Sequence, residues 1–218
     1  MHPITDYDVY IFDCDGVILD SNQLKIDAMQ NALSTVILDQ VKVKECVDYF
    51  RVNFGRSRFH HVDVFIDKFL RLDKSMVEQT KKSILEAYSS LCRALYLKAE
   101  LTPNVIEFIE TIKGNKFIAS GSEQKELQEV FKLRGLDVHF NGIYGSPIKK
   151  NELVTNILEL TNSNNAIMFG DAISDFEAAK INKIDFVGYL PYSNVREELE
   201  LIATRSGALA INRWSELL

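Results

Sequence analysis

An apolar run, Val9-Tyr10-Ile11-Phe12, ends in Asp13-Cys14-Asp15-Gly16-Val17. In a strand or its direct extension, residues two apart face the same way. Asp13 and Asp15 can therefore reach one site. Two close carboxylates repel, so a metal, a cation or a shared proton must hold them. One can then serve as a nucleophile and the other as a general acid. A polar strand end closed by a turn glycine would leave the same pattern.

Three further clusters follow expected strands. In Ile118-Ala119-Ser120-Gly121-Ser122 a small hydroxyl residue ends an apolar run, a glycine follows and a helix is expected to begin. Backbone N–H groups at a helix start attract anions; simple capping by Ser120 or Ser122 is the alternative. In Gly145-Ser146-Pro147-Ile148-Lys149-Lys150 a lysine near a helix start can neutralise a phosphate oxygen and a nucleophile's charge. A solvated lysine pair would read alike. In Phe169-Gly170-Asp171-Ala172-Ile173-Ser174-Asp175, Asp171 ends a strand and Asp175 lies one turn into the next helix. Hard oxygen ligands of this kind suit magnesium, and helix capping is again the alternative.

The elements that must position these residues can be read from periodicity. Val9–Phe12 is expected to be a strand buried on both faces, as in a parallel sheet. From about residue 22 to 98 the apolar positions recur at helical spacing: Val43, Cys46, Val47, Phe50 and Phe54 on one face, then Val62, Phe65 and Phe69, then Val77, Ile84, Tyr88 and Leu91. About four helices are expected, with a turn near Gly55. After Thr102-Pro103, read as a helix start, strands and helices alternate: strands at 116–119, 142–144, 166–169 and 186–189, helices at 105–112, 123–133, 152–160, 173–181 and 195–202. Such alternation implies a doubly wound parallel sheet. The gap from the first strand to the second far exceeds a simple crossover. The expectation is a Rossmann-like α/β core, 1–21 and 99–218, with a helical-bundle cap domain, 22–98, over the carboxyl edge of the sheet, where open α/β folds bind ligands.

With 46% hydrophobic and 26% charged residues the composition is that of an ordinary globular chain. The net charge of −6 argues against nucleic acid as a partner. No apolar run approaches the roughly 18 residues a membrane helix needs, and residues 1–10, with Asp6 and Asp8, do not read as a signal peptide. Cys14, Cys46 and Cys92 show neither a disulfide framework nor zinc-ligand spacing, and a reducing cytoplasm fits them best. Cys14 is expected to point away from the aspartates, into the core.

In order and spacing the four clusters resemble the four motifs of the haloacid dehalogenase-like (HAD) superfamily, in the branch of phosphoglycolate phosphatases and β-phosphoglucomutases. The resemblance runs from Asp13 to Asp175 and includes a helical cap between the first two motifs. It implies a Mg2+-dependent phosphatase acting on a small phosphorylated metabolite through an aspartyl-phosphate. Asp13 would be nucleophile and metal ligand. Asp15 would be general acid/base, with its carbonyl on the metal. Ser120, with Gly121, and Lys150 would bind the phosphoryl group, with Lys149 as the alternative lysine. Asp171 and Asp175 would complete the metal site. An aspartate at position 15 favours phosphate esters or anhydrides, whose leaving group needs a proton.

In the cap, Arg51, Arg56, Arg58, His60 and His61 cluster around Gly55. If that loop faces the core, the arginines could grip an anionic or hydroxyl-rich leaving group, such as a sugar; a solvated basic surface is the alternative. A β-phosphoglucomutase-like phosphotransferase, a pyrophosphatase or a nucleotidase would use the same motifs. Outside enzymes, a phospho-aspartate signalling module or a degenerate HAD binding protein are the competing readings. The oligomeric state is not legible.

Overall fold

A computed structural model describes residues 4–217. Residues 1–3 and 218, at the outer ends of the expected core segments, lie outside the described residues. The first strand, β1 (Val9–Phe12), is wholly buried. The chain leaves the sheet through β2 (Leu19–Asp20) and returns through β3 (Glu100–Leu101), which pairs antiparallel with it. Between β2 and β3 run α1 (Asn22–Val36), α2 (Gln40–Val52), α3 (Arg58–Val64) and α4 (Lys74–Tyr96). A wider helical turn, Phe65–Leu70, extends α3. Strands and helices then alternate: α5 (Val105–Thr111), β4 (Asn115–Glu123), α6 (Gln124–Leu133), β5 (Gly142–Ser146), α7 (Lys150–Thr161), β6 (Ala166–Gly170), α8 (Ile173–Asn182), β7 (Asp185–Tyr189), α9 (Arg196–Ser206) and β8 (Leu209–Ile211).

The six main strands form one parallel sheet in the order β5-β4-β1-β6-β7-β8. The chain builds outward from β1 through β4 to β5, then crosses to β6 on the other flank. The strand order therefore reverses at β1, and such a reversal opens a crevice at the carboxyl ends of the strands. Phe12 is in register with Ile118 on β4 and with Phe169 on β6. Asp13, Ser120 and Asp171 consequently leave three adjacent strands at one edge.

The two-residue period of the strands sorts the core into two layers. Val9, Ile11, Phe117 and Ala119 pack with Leu153, Ile157, Ala178 and Leu199 of the helices on one face. Tyr10, Phe12, Cys14 and Ile118 face the other layer, with Phe108, Leu127 and Trp214. That second layer continues without a break into Ile26, Met29, Phe50, Phe65, Ile84 and Tyr88 of the helical insert. Each such fully buried aliphatic or aromatic side chain is worth about 1.5–3 kcal/mol.

Local details depart from the sequence reading. The second sheet strand extends to Glu123 instead of ending at 119, with an irregularity between Ala119 and Glu123. The helix after it is capped by Glu123, which accepts from the Glu126 N–H at 2.9 Å. Neither Ser120 nor Ser122 caps it, so the helix-start amides expected beside Ser120 lie farther on. Thr102 does not cap α5 with its side chain. Its hydroxyl donates to the Val17 carbonyl at 2.5 Å and accepts from Trp214 Nε1 at 3.2 Å, joining the insert's stem to the core. The short β8, not expected from the sequence, completes the sheet.

Candidate active site

Asp13 prolongs β1. Its N–H still donates to the Phe169 carbonyl of β6 at 2.9 Å, so the ladder fixes its backbone. Asp171 emerges from β6 and Asp175 from the first turn of α8. Carboxylate oxygens of Asp13, Asp171 and Asp175 all lie within 4.8 Å of one another, and all three residues are buried. Gly16, at φ +74°, takes the left-handed turn after Asp15. A Cβ there would run into the Asp171 carboxylate and the Asn22 amide, so glycine is what admits Asp171 to the cluster.

Lys150, the first residue of α7, closes the group. Its Nζ is 3.1 Å from Asp13 Oδ1 and forms a close ion pair with Asp175 Oδ1. Lys150 is buried whereas Lys149 is exposed, so of the pair it is Lys150 that meets the carboxylates. The second oxygen of Asp175 accepts from the Ala172 N–H at 3.0 Å. Asp171 Oδ2 accepts from Asn22 Nδ2 at 2.5 Å.

Three buried carboxylates against one lysine leave the cluster short of positive charge. Burial, eased by Lys150 but aggravated by Asp175 and Asp15, pushes the Asp13 carboxyl up to about 7. Burial, with Asp13 and Asp175 adding to it, raises Asp171 well above the carboxylate range. Burial alone would lower Lys150, but Asp13 and Asp175 outweigh it and hold the amine above its ordinary value. Asp13 Oδ1 and Asp171 Oδ1 are buried without a hydrogen-bond donor; the former has only the ionic contact of Lys150 at 3.1 Å. Buried oxygens of this kind are normally satisfied. Hard, unsatisfied, mutually repelling carboxylate oxygens are what a divalent cation neutralises, so the residues fit one.

Asp15 has the opposite environment. Its carboxylate accepts from Ser21 Oγ (2.6 Å), Lys25 Nζ (2.8 Å), Ser122 Oγ (2.9 Å) and Tyr96 OH (2.9 Å). Burial would raise its pKa, but the charge and hydrogen bond of Lys25, with the two serine hydroxyls, hold it below the usual range. Ser120 is buried at the same edge, and its Oγ accepts from the Ser122 N–H at 3.2 Å. Gly121 lies against the insert: a Cβ there would strike the carbonyl oxygens of Gly55 and Arg56.

The three arginines do not all converge: Arg56 and Arg58 line a small chamber beside Asp15, and Arg51 does not. Arg51 donates to Gln23 on the surface at 3.2 Å. Arg56 pairs with Glu177 of α8 at 3.3 Å. Arg58 is buried and bidentate on Glu126 of α6, at 2.8 and 2.5 Å, which binds the insert to the core. Cys14 is buried in the layer opposite Asp13, as its parity requires.

Lys25, Asn22 and Tyr96 are the site residues that sequence reasoning missed. A signal existed for two of them. Asn22 and Lys25 occupy the inward stripe of α1 with Ile26, Met29 and Leu33, where a polar residue must have a buried partner.

The parallel sheet thus reverses at the strand whose end carries the carboxylate cluster, and the helices of residues 22–98 are inserted after that strand. The haloacid dehalogenase-like hydrolase family matches residues 10–189, and the chain belongs to it. No curated protein matches the sequence. Among solved structures, a predicted phosphatase from Clostridium acetobutylicum superposes with a TM-score of 0.75 at 18% identity, covering 97% of this chain and 96% of that one. A predicted phosphoglycolate phosphatase from Haemophilus somnus gives 0.73 at 17%, covering 98% and 97%. A β-phosphoglucomutase from Clostridium difficile gives 0.70 at 18%, covering 97% and 93%. At these identities the structures establish the shared fold.

Proposed function

We propose that the chain is a Mg2+-dependent phosphatase that hydrolyses a small phosphorylated metabolite through an aspartyl-phosphate on Asp13. The supporting observation is the meeting of Asp13, Asp171 and Asp175 within 4.8 Å, with Lys150 alongside and two carboxylate oxygens unsatisfied. In this reading residues 22–98 are a cap over a core of 1–21 and 99–218. Among the described residues no helix is long and apolar enough to cross a membrane. The three free, buried cysteines suit a cytoplasmic protein.

Asp13, Asp171 and the Asp15 carbonyl would hold the magnesium ion. Asp175, whose oxygens already serve Lys150 and Ala172, would reach it through water. When bound, the ion supplies charge neutralisation between two anions. Lys150 supplies the same from the protein's side. Asp13 Oδ attacks phosphorus in line, the ester oxygen departs, and Ser120 and Lys150 hold the phosphoryl oxygens. Water then cleaves the acyl-phosphate, restoring Asp13 and releasing phosphate. Asp15, kept ionised by Lys25, is suited to take the proton of that water. To donate a proton to the leaving oxygen it must first be freed from Lys25.

Phosphate release from sugar phosphates, phosphoglycolate, nucleotides and pyrophosphate, with Mg2+ or with EDTA, tests this directly. Turnover of at least one ester, abolished by EDTA, is expected; no turnover of any would end the proposal. A physical counterpart needs no substrate. At about a hundredfold excess over Kd a bound ion stabilises by about 2.7 kcal/mol, or about 5–10 °C for a chain of this size. Asp13 and Asp171 bind protons more tightly folded than unfolded, so without metal the stability they lend is complete at low pH. The Asp13 share fades as pH rises through about 7, and the Asp171 share as pH rises through its own raised value. Protons also compete with the ion, so the Mg2+-induced rise in melting temperature is expected to be larger at pH 8 than at pH 5. Asp171→Asn is expected to lose most of it.

A further inference from the structure

Between the insert and the sheet edge lies a small chamber walled by Asp15 and Ser122 of the core and by Lys25, Phe50, Phe54 and His61 of the insert. The volume free for a water-sized sphere is about 10 Å3, room for about one water. It adjoins Asp15, so a leaving group whose ester oxygen meets that carboxylate can place a single water-sized terminal group in it.

His61 is the odd member of this wall. It is fully buried, and neither ring nitrogen has a hydrogen-bond partner. Among the described residues lining the chamber, no other buried side-chain N or O is left unpaired. The ring is held edge-on by Phe50, with centroids 4.6 Å apart, and by Tyr49 at 5.9 Å. Burial, with the charges of His60, Lys25 and Arg56 adding to it, pushes its pKa down to about 3. The imidazole is therefore neutral and offers one donor and one acceptor.

The charges around it are already matched. Lys25 is paired with Asp15, Arg58 with Glu126, and Arg56, also on the wall, with Glu177 at 3.3 Å. A second carboxylate or phosphate entering here would meet the Asp15 carboxylate with no uncommitted cation to offset it. A hydroxyl carries no charge and, like the imidazole, both donates and accepts.

Resting on the phosphatase reading, we infer that His61 is the specificity-determining residue for the leaving group, and that it selects a short one bearing an uncharged hydroxyl over its alkyl or carboxylate counterpart. A matched two-carbon series isolates the group: 2-hydroxyethyl phosphate, ethyl phosphate and phosphoglycolate, assayed as kcat/KM with the full chain and Mg2+. The parent is expected to prefer the hydroxyethyl ester over each of the others by at least about tenfold, the scale of one hydrogen bond to an otherwise orphaned group.

In His61→Phe the hydroxyethyl-to-ethyl ratio is expected to fall towards one. In His61→Asn, whose amide also donates and accepts, it should be intermediate. A ratio near one in the parent, a ratio unchanged in either variant, or phosphoglycolate turned over as well as the hydroxyethyl ester would each overturn the assignment. The parent ratios decide the matter even if a variant fails to fold. Absence of hydrolysis with every phosphate ester would instead remove the proposed function itself.

Discussion

Asp13→Asn is expected to lower phosphate release by at least about 10⁴-fold, the scale on which removal of a nucleophile acts, and to raise the melting temperature of the metal-free protein at pH 8. The two effects share one cause. Asparagine keeps the shape of the side chain but has no anionic oxygen to attack phosphorus. It also removes a carboxylate that burial pushes up to about 7 and that Asp171 and Asp175 crowd from within 4.8 Å. In the parent at pH 8 that carboxylate is ionised, and the cluster bears its repulsion. At pH 5 it holds a proton and the repulsion is largely gone. The stability gain of the variant should therefore shrink from pH 8 to pH 5, which thermal unfolding in EDTA can follow. A variant that is inactive because it misfolds would melt lower, not higher. Strong activity in the purified variant would remove Asp13 from the reaction.

The skeleton of the site was legible because chemistry and element boundaries coincide. Asp13, Ser120 and Asp171 each end an apolar run, and parallel strands bring such ends to one edge. The parity rule also placed Cys14 correctly in the opposite layer. The reading failed where geometry depends on contacts distant in sequence. Ser120 and Ser122 look like helix caps, but pairing with β5 carries the strand on to Glu123. Thr102 looks like a cap, but Trp214 and the Val17 carbonyl claim its hydroxyl from far along the chain. Leu209–Ile211 is too short to show a period, and pairing with β7 alone makes it a strand. Arg58 looked like a substrate grip because its type suits anions. The buried carboxylate it meets, Glu126, is 68 positions away, and nothing local announces it.

Lys25→Met is expected to cost about 3–5 kcal/mol of stability at pH 7, because it leaves a buried carboxylate without its charge partner. Few single changes in the molecule should cost more. Lys25 and Asp15 are both almost wholly buried, so solvent offers little screening of the loss. The hydroxyls of Ser21, Ser122 and Tyr96 remain, but burial is then opposed by hydrogen bonds alone. In the parent the Asp15 pKa is depressed, so its contribution is present near neutrality and is lost as pH falls through the folded-state value. In the variant burial wins, the pKa rises, and the deficit should be largest near neutrality and smaller at pH 4. Denaturant titrations at the two pH values read this out. The double variant Asp15→Asn/Lys25→Met removes both charges and should recover most of the lost stability, since a neutral pair carries no desolvated ion. Activity separates positioning from mere support. With Lys25 gone, Asp15 takes up a proton nearer neutrality, so the acid limb of kcat should move to higher pH. If kcat falls with no change in that limb, Lys25 holds the insert in place without setting the charge on Asp15.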